Sequence, residues 1–225
     1  TFVRLKHDYR YGILKTQAVS RTGDVFSIIN ANATLRCVET VADANGQPIS
    51  FIDALKRRFN CSTVADVTRA LQDYTFGIDI RGENFIRSVA GIDEAQNHVN
   101  FFCDVFGGEK LYLLKRDSLE STLERDLNEF CAGKPAPIGA LLNDCILRRL
   151  CYPEEIKHVD LLQDISTAGF SSFGEISGLH VNETLTAIFF YAVPTGTAFA
   201  DDYIDNFAAH YASCHAFFFN RFVVK

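Results

Sequence analysis

Residues 76–116, "FGIDIRGENFIRSVAGIDEAQNHVNFFCDVFGGEKLYLLKR", decide the fold. The runs "FGIDI", "FIRSVAGID", "HVNFFCDV" and "KLYLLKR" are rich in apolar and β-branched residues. The breaks "RGEN", "DEAQN" and "FGGE" are polar or carry glycine. Strands joined by such short connections form an antiparallel meander.

Working outward, the flanking segments alternate between strand and helix signals. Upstream, "VFSIINANATLRCVETVA" (25–42) predicts one or two strands, and Asn45-Gly46 in "DANGQP" predicts a tight turn. Ser50 is placed to cap "FIDALKRRF", where Phe51, Ile52, Leu55 and Phe59 recur at helical spacing. Ser62 is placed to cap a second helix with Val64, Val67 and Leu71 along one stripe. Downstream, "SLESTLERDLNEFCAG" predicts a helix with Leu119, Leu123, Leu127 and Phe130 on one face, ended by Gly133, Pro135 and Pro137. "PEEIKHVDLLQDI" (153–165) predicts a short helix, and "LTAIFFYAV" (185–193) a strand. The fold class is α+β: a largely antiparallel sheet of about six strands packed by helices.

The tail, "DDYIDNFAAHYASCHAFFFNRFVVK", places Ile204, Phe207, Tyr211, Cys214, Phe218 and Phe222 at spacings of three and four. That is a helix with an apolar seam. It reads either as a connecting helix that continues toward an output domain or as a terminal helix docked on its own domain.

Composition narrows the function. Hydrophobic residues make up 48% and charged residues 22%, an ordinary globular balance. With a net charge of −6 and no basic stripe, nucleic acid is disfavoured as a partner. No stretch has the roughly 18 apolar residues of a membrane span, and the charged start "TFVRLKHDYRYG" has no signal-peptide apolar region. The seven cysteines are odd in number and show no paired zinc-ligand spacing, which predicts reduced thiols and a cytoplasmic protein. The chain has no methionine, not even at its first position, and reads as a fragment of a longer protein.

The sequence carries no GxSxG, P-loop, GxGxxG or HExxH motif, so no enzyme is expected. Cys145 could serve as a nucleophile only with a base such as His158 or His180 in reach, and a packed core thiol is the simpler reading. In "LLNDCILRR", a strand would put Asp144 and Arg148 on one face, roughly 13 Å apart, at opposite ends of a small zwitterionic ligand. A helix would instead make them an i,i+4 salt bridge. In "TAGFSSFGEISGLHVNETLTAIFF" (167–190), three glycines, Phe170, Phe173, Glu175 and Asn182 combine an apolar lining with a few polar groups, as in a small-ligand pocket. The alternative is a structured loop. His180 could ligate haem iron, although a lone histidine beside a glycine-rich loop more often makes ordinary hydrogen bonds. No metal or cofactor is therefore expected, with haem the alternative.

"PIGALLNDCILRRL" followed by "AGFSSFGEISGLHVNETLTAIFFY" resembles the C-terminal half of the FIST sensory domain. "FIRSVAGID…FFCDVFGGEKLYLLKRD" and "NGQPISFIDAL" fit the same pattern, so the likeness covers about residues 33–193. Residues 1–32 then form a lead-in segment and residues 199–225 a signalling helix. The resemblance implies a cytoplasmic input module of a bacterial signal transduction or chemoreceptor protein, joined to an output signalling domain in the same longer chain. It also implies a small ligand, with amino acids proposed for the family and haem-based nitric oxide sensing in some members. Read together, Arg148 is expected to hold a carboxylate and Asp144 or Glu175 an ammonium, with Cys145, Phe173 and Asn182 lining the site. A homodimerisation module that binds no ligand is the remaining alternative.

Overall fold

The computed structural model describes residues 4–223, with Phe222 and Val223 described by their backbone alone. The chain begins with β1 (Tyr9–Thr16), β2 (Val19–Asn32), β3 (Cys37–Ala42), β4 (Pro48–Ser50), α1 (Phe51–Phe59) and α2 (Val64–Ala70). Next come β5 (Tyr74–Ile80), β6 (Glu83–Arg87), β7 (Val89–Asp93), β8 (His98–Phe101), β9 (Lys110–Arg116) and α3 (Leu119–Cys131). It continues through β10 (Gly139–Cys145), α4 (Ile146–Cys151), a 3-10 turn (Glu155–Lys157), β11 (Thr167–Ser172), β12 (Glu175–Ser177) and β13 (Leu179–Val181). It ends with β14 (Leu185–Ala192), α5 (Asp202–Asp205) and α6 (Phe207–Val223). The α+β class holds. The chain forms two compact units.

One unit comprises Val19–Asp117, Leu179–Asn182 and the residues from Ser213. Its eight-stranded sheet runs β6-β5-β9-β2-β3-β8-β7, with β4 on β3, and neighbouring strands pair antiparallel throughout. The meander read from residues 76–116 supplies five of these strands. Phe26, Phe51, Phe76 and Phe101 meet in the core, with ring centroids 5.3 Å apart for Phe26 and Phe51 and 5.6 Å for Phe51 and Phe76. Such edge-to-face packing adds to the burial of the rings themselves.

The Ser50 side chain caps α1 by accepting from the Asp53 N–H, and Asn60 ends the helix in the left-handed region. At α2 the cap is Thr63, not Ser62. Thr63 has the extended backbone of a cap, and its Oγ1 accepts from the Asp66 N–H at 3.2 Å. Thr63→Ala should cost about 1 kcal/mol in a urea melt, while Ser62→Ala should leave the midpoint where it was.

The other unit comprises the residues up to Ala18, Ser118–Gly178 and Glu183–Ala212. Its sheet runs β1-β14-β10-β11, antiparallel except for the parallel pair β10 and β11. β14 points Leu185, Ala187, Phe189 and Tyr191 into a core shared with Leu14, Leu123 and Leu127. The strand β1 escapes a reading by hydropathy because its inward residues are Gly12, Leu14 and Thr16.

One open reading is decided and one expectation changes. The run 139–151 is a strand that passes straight into a helix at Ile146. Residues 153–165 form only a 3-10 turn and bends rather than a helix. Ile156, Val159, Leu162 and Ile165 recur strictly every third residue, a period that suits 3-10 turns, and all four pack on the unit's apolar clusters.

In the tail, Cys214 is buried, whereas Phe207, Tyr211 and Phe218 are exposed. The inward face is instead Cys214, Phe217 and Arg221, which pack in the unit that contains them. Phe222, the end of the predicted seam, and Lys225 lie outside the described side chains. None of the seven cysteines is in a disulfide. Among the described residues, no helix is long and apolar enough to cross a membrane.

Candidate functional site

The unit built on β14 contains one parallel strand pair, and its polar residues gather where that pair ends. The register sets Asp144 beside Ser171 and Cys145 beside Ser172, at the carboxyl ends of β10 and β11. Ligands in sheets with parallel strands commonly bind outside such ends. Gly169 makes the close pairing possible: a Cβ there would stand 2.1 Å from the Leu142 carbonyl oxygen.

A cavity of about 440 Å³ opens at this place. Leu123, Leu142, Ile156, Leu162, Leu185 and Phe170 form its apolar lining, and Asp144, Arg148 and Arg149 its polar end. Asp144 accepts a hydrogen bond from Arg148 Nη1, and Arg149 Nη2 stands 3.3 Å from its other oxygen. The Arg148 side chain is 4% exposed and that of Arg149 54%.

The pairing is the i,i+4 salt bridge expected of a helix rather than the 13 Å separation expected of a strand. Because the strand becomes a helix after Cys145, the backbone turns Arg148 back over Asp144. The charge in this apolar run is therefore compensated by partner side chains. One carboxylate faces two guanidinium groups, so the polar end carries a surplus of positive charge.

Glu175 sits beside this cluster but, like Cys145, does not line the cavity. Ser172 donates its hydroxyl to Glu175 Oε1, while Oε2 is buried with no hydrogen-bond partner among the described residues. Burial pushes the Glu175 carboxyl up to about 7; the Asp144 charge adds to the rise, and the Ser172 hydrogen bond and the Arg148 charge oppose it. Cys145 is fully buried, and burial pushes its thiol above the ordinary value, so it is not activated as a nucleophile.

The other predicted residues stand elsewhere. Phe173 is 89% exposed and does not line the cavity. Asn182 belongs to the other unit, where its Oδ1 accepts from the Ser88 N–H at 3.3 Å and from Cys103 Sγ at 2.9 Å. His180 is in that unit too. Its carbonyl accepts from Arg87, and burial and then the Arg87 charge lower its imidazole below the ordinary value.

Sequence reasoning missed Arg149 because a strand would have turned it to the opposite face from Arg148. The adjacent arginines at the end of an apolar run were the available signal.

Residues 52–178 match the family of the FIST C domain. The chain belongs to this family. The matched span runs from α1 to the end of β12 and includes Asp144, Arg148, Arg149 and Glu175. FIST C domains are sensory domains of signal transduction proteins. No curated protein and no solved structure matches the chain.

Proposed function

We propose that this FIST C domain protein is a cytoplasmic input module whose cavity beside β10 binds a small zwitterionic metabolite of the amino acid class. The observation that carries this reading is Asp144 shared by Arg148 and Arg149 at the polar end of a cavity lined elsewhere mainly by apolar residues. The half-exposed Arg149 guanidinium takes the ligand carboxylate, where paired N–H donors suit two oxygens. Asp144 takes the ammonium, and the Glu175 charge, once ionised, favours it from beside the cavity. The hydrophobic walls receive the side chain. Occupancy shifts a conformational population that α6 passes to an output domain, in a role such as chemotaxis.

A thermal-shift screen of the chain against the twenty amino acids tests this. A ligand at 100 times its Kd adds about 2.7 kcal/mol and moves Tm by several degrees. Arg149→Ala should weaken that ligand by about tenfold or more while leaving the unliganded Tm near that of the parent. A flat screen would shift the function to pairing of two chains through the exposed rings of Phe207, Tyr211 and Phe218.

A further inference from the structure

The unit built on the eight-stranded sheet holds a cavity of its own, about 370 Å³, beneath the last turns of α6. Phe106, Tyr112 and Phe217 supply aromatic walls, and Asp79, Glu109, Lys110 and Arg221 bring charge to it. Gly108, with φ +87°, turns the chain into β9 at its edge.

The formal charges of the lining balance, two carboxylates against two cations, but not every cationic group in it is used. Asp79 is already paired with Arg21. Arg221 donates from Nε to Glu109 at 2.6 Å and from Nη1 to Asp104. Its side chain is 4% exposed, and its guanidinium lies 4.5 Å from the Phe106 ring and 5.0 Å from the Phe217 ring. Arg221 Nη2 is buried with no hydrogen-bond partner among the described residues. Lys110 is exposed, and its ammonium forms no ion pair among the described residues. The cavity thus offers an unused buried donor and an unpaired cation beside flat apolar rings. An acceptor with negative charge satisfies the first two, and a planar ring fits the third.

We propose that this cavity is a second binding site, taking a small aromatic carboxylate and distinct from the amino acid pocket beside β10. The ring inserts among Phe106, Tyr112 and Phe217, and the carboxylate is drawn to Lys110 and Arg221. Because Phe217 and Arg221 belong to α6 while Lys110 and Tyr112 belong to β9, the occupant ties the end of α6 to that strand.

Isothermal titration of the full chain with phenylacetate tests the assignment. The parent should bind it saturably, and the neutral phenylacetamide should bind about tenfold or more weakly. Lys110→Glu, an exposed change that spares the core, should weaken phenylacetate by about tenfold or more. Lys110→Gln should fall between that variant and the parent. Arg149→Ala should not change the affinity. Absent binding, equal binding of phenylacetamide, full affinity in Lys110→Glu, or loss in Arg149→Ala would each overturn the proposal. The last of these would move the ligand to the pocket beside β10.

Discussion

Replacing Arg87 with alanine should lower the unfolding free energy by roughly 3–5 kcal/mol. The side chain is completely buried at the end of β6. Its Nη1 donates to the His180 carbonyl at 2.6 Å and to the Ile86 carbonyl at 3.3 Å, while Nε and Nη2 find no hydrogen-bond partner among the described residues. Burial pulls the guanidinium below its ordinary pKa; Cys103, Asp104 and Glu109 oppose that pull, and Arg221 adds to it. Truncation removes a cation that helps hold the Asp104 and Glu109 charges, strands the His180 carbonyl and empties a buried volume. Glu109, already raised by burial, would rise further.

Arg87→Met separates these causes. It keeps most of the volume and removes two unsatisfied donors, so it should lose only about 1–3 kcal/mol, mainly through the unpaired carbonyl. Far-UV circular dichroism in urea suits a chain without tryptophan. A parent-like midpoint for Arg87→Ala would show that its neighbours do not depend on the guanidinium.

Arg87 also marks where sequence legibility ends. The meander was readable because its apolar runs are punctuated by turn residues, and α1 because Ser50 precedes residues at helical spacing. A charged residue at the end of a strand, by contrast, reads as a surface residue until its long-range partners are known. The carbonyl that Arg87 meets is 93 residues away.

The same limit applies to the candidate site. Asp144 and Arg148 stand out by residue type, but their contact depends on a strand becoming a helix without an intervening glycine or proline. Strand and helix periods overlap across so short a run. Asn182 groups with the site by nearness in sequence, yet its partners, Ser88 and Cys103, come from the meander. In α6, consecutive Phe217, Phe218 and Phe219 leave the buried face ambiguous, and burying Arg221 requires the Asp104 and Glu109 carboxylates.

Glu175 gives the other large effect, and its sign is set by linkage. In the unfolded chain the carboxyl titrates near 4.5, whereas in the folded chain burial raises this to about 7. Below 4.5 both states are protonated, and burial of the carboxyl carries no ionisation penalty. Between 4.5 and 7 the unfolded state ionises first, so stability falls as pH rises. Above 7 the penalty is constant.

A tenfold difference in proton affinity between the two states corresponds to about 1.4 kcal/mol, and after allowance for water screening the full effect is on the order of 2 kcal/mol. Glu175→Gln has nearly the same shape and never ionises. It should match the parent near pH 4 and exceed it by about 2 kcal/mol near pH 8. The difference between the two proteins, measured by urea melts across that range, isolates this group from every other titration. A constant difference would mean that Glu175 ionises normally, as a charged neighbour of Arg148. A difference that grows between 4.5 and 7 would identify a carboxyl kept neutral by its surroundings. A bound ammonium would favour its ionised form and return part of the lost stability above pH 7.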